Sequence, residues 1–120
     1  MAQYVPAFRP GETVTFDVTT AVVAGRYVEV GSADRSVAPA GAVSLKVVGV
    51  AGHDAAVGDK VSVETGKPID LILCAAAVAR GARVEAAAAG KCQTRTTGQD
   101  VGLALNTTTA ADQLVYVLRS

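Results

Sequence analysis

The sequence predicts an all-β protein: a small β-barrel or sandwich of roughly eight to ten short strands, with at most one or two short helical turns, behind an extended N-terminal arm. Three observations carry that expectation. Apolar and polar residues alternate at a period of two in segment after segment. Gly, Asp and Pro turn signals separate these segments at short intervals. No segment sustains apolar residues at i, i+3, i+4 and i+7.

Residues 1–10 hold Pro6 and Pro10 together with Tyr4 and Phe8. Proline fixes its own backbone and restricts the residue before it, so this stretch reads as an extended arm that ends at the turn Arg9-Pro10-Gly11-Glu12. Residues 11–120 read as a single β-domain. In TVTFDVT, Val14, Phe16 and Val18 face one way and Thr13, Thr15, Asp17 and Thr19 the other, as in a half-buried strand. RYVEV, residues 26–30, is β-rich and stops at Gly31-Ser32. VSLKV predicts a strand with Val43, Leu45 and Val47 in phase, bending at Val48-Gly49-Val50. DKVSVE leads to Glu64-Thr65-Gly66-Lys67, which reads as a hairpin connection, with Ile69, Leu71 and Leu73 on the return strand. Val101, Leu103 and Leu105 make another alternating set, and LVYVLR is the last strand. The helical turns allowed for fall at CAAAVAR, residues 74–80, and at Thr107–Asp112.

The run ARGARVEAAAAGK, residues 79–91, looks helical because alanine is the best helix former. It also echoes AVVAGRYVEV: Val22, Gly25, Val28 and Glu29 match Val78, Gly81, Val84 and Glu85 at a constant offset of 56. Gly49-Val50-Ala51 matches Gly102-Leu103-Ala104 at an offset of 53. The echo divides the domain into two weakly repeated halves, about 11–65 and 66–120. On that reading residues 83–87 are a strand and Ala89-Gly90 turns into a further strand from Lys91 to Thr96.

Composition removes several functions. Eleven basic and eleven acidic residues cancel, and neither sign forms a block, which argues against a nucleic-acid groove or a polybasic membrane contact. Aromatics are 4% and Trp is absent, so little material exists for a ligand pocket or a sugar platform. The stretch MAQYVPAFRPGE lacks the pattern of a signal peptide, which predicts synthesis in the cytoplasm. A reducing compartment favours Cys74 and Cys92 as free thiols acting as small buried hydrophobes.

No residue grouping points to catalysis. His53, near Asp54 and Asp59, reads as a polar loop residue because the partners a zinc site requires are missing. Gly58-Asp59 reads as turn chemistry rather than a calcium loop. There is no GxSxG, GxGxxG or GxxxxGK[ST], and the carboxylates are scattered singly. No metal and no cofactor is expected. The candidate contact residues are in the arm: Tyr4, Val5, Pro6, Phe8 and Arg9, for docking on a partner.

Five pieces occur in a fixed order: Pro10-Gly11-Glu12-Thr13-Val14, the segment Ala21–Val30, the segment Val47–Val63 with Gly66-Lys67, the Ala-rich Ala79–Lys91, and Gly102–Leu118. In that order the chain resembles the small β-rich capsid cement, or head decoration, proteins of tailed bacteriophages. Two features depart from the pattern: Ile69–Cys74 is unusually apolar, and the cysteines are extra. The resemblance implies a non-enzymatic virion protein on the outer capsid surface. It implies a homotrimer at three-fold and quasi-three-fold positions that bridges neighbouring major capsid subunits. Two alternatives stay open: a small β-barrel ligand- or sugar-binding module, and a tail-tube or fibre component.

Overall fold

The computed structural model describes residues 13–66 and 68–120. The arm residues Tyr4, Val5, Pro6, Phe8 and Arg9 lie outside them, as does Lys67. Strands β1 (Thr13–Val18), β2 (Tyr27–Val30), β3 (Ser36–Pro39), β4 (Val47–Ala51) and β5 (Lys60–Glu64) close a barrel in the order β1-β3-β2-β4-β5. Strands β6 (Ile69–Leu73), β7 (Arg83–Ala86), β8 (Cys92–Thr94), β9 (Gly102–Ala104) and β10 (Leu114–Arg119) form a second sheet in the order β6-β10-β9-β7-β8. All pairings are antiparallel except β1 with β3, which run parallel through Asp17–Ser36 and Val18–Val37. At the matching place in the second sheet, β6 and β8 are joined by a single parallel bridge, Cys74–Cys92.

The second sheet repeats the first strand for strand, down to individual loop hydrogen bonds. Gly25 N donates to Ala51 O at 2.9 Å and Gly81 N to Ala104 O at 2.8 Å. Val22 N donates to Ala55 O at 2.9 Å; in the second sheet Thr108 N donates to Val78 O at 2.8 Å and Val78 N to the Thr108 hydroxyl at 2.9 Å. Gly25 and Gly81 both take a left-handed backbone, φ 75° and 87°, which glycine adopts without a Cβ clash. The matched glutamates also share a task. Glu29 accepts from Gly41 N at 3.1 Å, and Glu85 accepts from Gly98 N at 2.8 Å.

The cores correspond position by position. Val18, Val22, Val28, Val37, Ala51, Val61 and Val63 fill the first barrel. Cys74, Val78, Val84, Cys92, Ala104, Val115 and Val117 take the equivalent places in the second. Both cysteines are buried, free and seated where the first barrel has valines. Burial, and then the neighbouring Cys74, push the Cys92 thiol up to about 12, as expected of a small hydrophobe rather than a nucleophile.

The second core also takes in three side chains from the first barrel: Tyr27, Ala40 and Val50. Tyr27 is the largest fully buried side chain among the described residues. Burial, then the charges of Asp70 on β6 and Cys92 on β8, raise its hydroxyl far above the usual phenol range. It shares one core with Cys74 and Cys92, whose bridge is the seam where β6 and β8 barely pair. Backbone bonds fasten the same junction: Gly90 N to Ala40 O at 2.9 Å, Val43 N to Ala86 O at 2.9 Å, and Gln99 N to Ser44 O at 3.1 Å. The Gln99 amide also pairs with both backbone groups of Val47, at 2.8 and 3.1 Å. A Cβ at Gly90 would lie 2.6 Å from Tyr27 O, so close approach requires glycine there.

Several local expectations are corrected. The strand expected at Val43 starts only at Val47, because Val43 takes φ 60° in a turn fastened to Ala86. Ser36–Pro39 is a strand that lacks polar alternation; Ser36 and Val37 are both buried. Glu64–Gly66 belongs to a link between sheets, not a hairpin: β5 pairs with β1 and β4, and β6 pairs with β10. CAAAVAR forms no helix, and Val78 reaches the core from an irregular segment. The alanine run divides as its echo predicts. Ala86 ends β7, Ala88–Gly90 make a single 3-10 turn, and the strand that follows is Cys92–Thr94.

Glu85 is fully buried. Burial alone would raise its carboxyl. The Thr96 N–H at 3.0 Å, the Gln93 amide at 2.6 Å, the Gly98 N–H at 2.8 Å and the Thr96 hydroxyl at 3.0 Å outweigh that and hold it at about 2. A lowered folded value stabilises above the ordinary 4.5 and loses that contribution as pH falls towards 2. Glu85→Gln should therefore cost about 1–3 kcal/mol at neutral pH. It should also flatten the acid limb of stability measured by thermal melts across that range. At the junction, Tyr27→Ala should cost about 3–5 kcal/mol in denaturant unfolding by opening a cavity. Tyr27→Phe should be neutral or mildly stabilising, because the Tyr27 hydroxyl has no hydrogen-bond partner among the described residues.

Candidate functional site

On β6 the inward residues are Asp70 and Ile72, so Ile69 and Leu71 point outward, with Leu73 half-buried. On β10, Val115 and Val117 point inward and Leu114, Tyr116 and Leu118 outward. The register pairs Ile69 with Leu118, Leu71 with Tyr116, and Leu73 with Leu114. The outer face is thus a ladder of apolar cross-strand pairs. Leu105 extends it onto the neighbouring strand through its N–H to Tyr116 O, at 2.8 Å. Ile69, Leu71, Leu105, Leu114, Tyr116 and Leu118 are each 41–58% exposed. At one end the ladder meets the first barrel, where Val23, Ala24, Gly25 and Arg26 face Leu71, Leu73 and Leu114 across a shallow groove.

The first barrel shows what this place in the fold requires. Its equivalent pairs are Thr13–Glu64, Thr15–Ser62 and Asp17–Lys60. That face is polar, and Lys60 bonds Asp17 at 2.5 Å. The same strands in the same register close a barrel with a hydrophilic outside. The leucines on the second sheet are therefore not a demand of the fold.

A buried ion pair underlies the ladder. Asp70 stands where the first barrel has Val14, and Arg119 grips it through two bonds, Nε at 2.9 Å and Nη2 at 2.7 Å. Arg119 Nη1 also donates to the carbonyls of Glu64 and Gly66, at 2.5 and 3.0 Å. The last strand is thereby bolted to the link between sheets. The charges are matched, so the ladder above them presents no net charge.

The other sequence candidates lie elsewhere and remain apart. His53 is exposed, with Nδ1 beside Asp54 O at 3.0 Å and Nε2 accepting from Ser62 N at 3.3 Å. Asp54 caps Ala24 N at 2.8 Å, and Asp59 lies in the turn after Gly58, which takes φ 88°. Among the described residues no three His, Cys, Asp or Glu side chains converge as metal ligands do. The ladder was visible in the sequence only as the excess apolarity of Ile69–Cys74. There both alternate sets are apolar except for Asp70, so periodicity could not say which set faces out.

If the ladder plays no part in folding, replacing its members by their first-barrel counterparts should be tolerated. Leu71→Thr with Tyr116→Ser should change the unfolding free energy by no more than about 1 kcal/mol, against about 2–5 kcal/mol for a buried leucine truncation. Urea unfolding of the monomeric species checks this.

Comparison with known proteins agrees with this architecture. Phage cement proteins as a family match residues 8–119. The crystal structure of the head fiber gp8.5 N base of bacteriophage phi29 superposes with a TM-score of 0.74. It is 18% identical, and the match covers 91% of this chain and 93% of that one, so the likeness is one of fold. No curated protein sequence matches significantly. With the family match running almost from end to end over a doubled five-stranded β architecture, the chain belongs to the phage cement protein family, a group of virion structural proteins.

Proposed function

We propose that the protein is a non-enzymatic cement. It decorates the outer surface of a phage capsid after synthesis in the host cytoplasm, and it bridges neighbouring major capsid subunits as a homotrimer at three-fold and quasi-three-fold positions. The observation that carries this reading is the family match over residues 8–119. The balance of charge supports a protein partner rather than nucleic acid or membrane. Each contact can be weak, because a trimer touching several capsid subunits gains from effective concentration.

The arm is the proposed capsid contact, through Tyr4, Val5, Pro6, Phe8 and Arg9. Complete burial of Tyr4, Val5 and Phe8 is worth about 1.5–3 kcal/mol each. A second reading, the base of a longer projection from the head, is favoured by the fold shared with the phi29 head fiber base.

Deleting residues 1–9 should leave the melting temperature of the domain unchanged and abolish binding to capsids that lack the protein. A truncated chain that still saturates such capsids, measured by quantitative cosedimentation, would overturn the arm as the contact.

A further inference from the structure

We infer that the β6/β10 ladder is the surface by which copies of this chain join one another. This deepens the cement reading and rests on it for the oligomeric role. Three observations name a second copy as the occupant.

The first is area. Six side chains at about half exposure present on the order of 500–600 Å² of apolar surface. That is the upper limit of what monomers leave bare, and most of the roughly 800 Å² that each partner contributes to a standard interface.

The second is chemistry. The paired residues of the ladder are leucine, isoleucine and tyrosine, Arg26 and Asp112 line the groove at one end of it, and the ion pair beneath is neutralised within the chain. Permanent contacts between identical chains are apolar in this way, whereas faces that meet a partner later carry more polar groups. A cement protein lives free in water before it meets a capsid, and a bare ladder would make it aggregate. Copies of the chain cover one another's ladders before the capsid is met.

The third is the polar counterpart. The first barrel places Thr15, Ser62, Asp17 and Lys60 at the same outward positions. That face is polar, so association through the β6/β10 face, without its first-barrel counterpart, allows copies to close into a finite oligomer rather than polymerise through both halves.

The test uses the full chain. By sedimentation velocity over a wide range of concentration, the wild type is expected to run as one discrete oligomer. The triple variant L71T/L114K/Y116S is expected to run as a folded monomer, with its dissociation constant raised at least about a hundredfold. The control T15A/S62A on the first barrel is expected to keep the oligomer. If the triple variant fails to fold, single cysteines replace it. Y116C should give disulfide-linked chains on mild oxidation, and T15C should not.

A wild type that is monomeric throughout, or a folded triple variant that keeps the oligomer, overturns the inference. So does a monomeric wild type whose triple variant loses only capsid binding, which would make the ladder a capsid-facing surface. So does a monomeric wild type that associates only after residues 1–9 are removed, which would make the arm the cover of its own ladder. Failure of the cement reading is distinct: the oligomer forms through the ladder, yet the wild type does not decorate capsids.

Discussion

The structure depends on one shared core. Each half is a five-stranded unit of short strands whose interior is mostly valine and alanine, with Phe16 against the first core and Ile72 and two cysteines in the second. Units of about 50 residues bury too little apolar surface to be secure alone. Tyr27 meets that need: it leaves the first barrel on β2 and fills the second, close to the seam where β6 and β8 are joined only at Cys74–Cys92. The backbone bonds from Ala40, Val43, Ser44 and Val47 to the segment 86–99 follow from that insertion, because they hold the neighbouring loop against the sheet that Tyr27 enters. The Tyr27 phenol, without a hydrogen-bond partner among the described residues, is the cost of using an aromatic as a wedge.

Doubling lets the two copies diverge where packing does not bind them. Core positions stay small and apolar in both, and the turn glycines at 25 and 81 share a left-handed backbone. The outer faces share strand and register but not chemistry, one being Thr, Ser, Asp, Lys and Glu and the other Leu, Ile and Tyr. The substitution of Asp70 for Val14 follows the same logic. Beneath an apolar face, the buried carboxylate is matched by Arg119 with two bonds.

Much of this was legible in the residues. Clean alternation marked β1 and β5, and the echo at Val28-Glu29 and Val84-Glu85 placed β7 against the helix propensity of its alanines. The echo could do so because sheet pairing and the grip of Glu85 on the Thr96 and Gly98 N–H groups outweigh an intrinsic preference of a few tenths of a kcal/mol per residue. Other features were hidden for physical reasons. Ser36–Pro39 is buried at two successive residues, so period two is absent. Val43 carries an apolar side chain on a turn backbone that its neighbours impose, and no local signal betrays that. The ladder was ambiguous because both faces of β6 are apolar except for Asp70, and only register with β10 decides which set points out.

Arg119 has a consequence for the order in which the chain can become a structure. The first barrel is complete once β5 has returned to β1, but its Tyr27 side chain belongs to a core that the second sheet completes. The second sheet cannot receive it until β10 is in place between β6 and β9, and Arg119 is the last residue of that strand. Its bonds to Glu64 and Gly66 clasp the end of the assembly to its middle. The core around Tyr27 is therefore closed by contacts made late in sequence order, and Arg119 acts as the latch that fastens them.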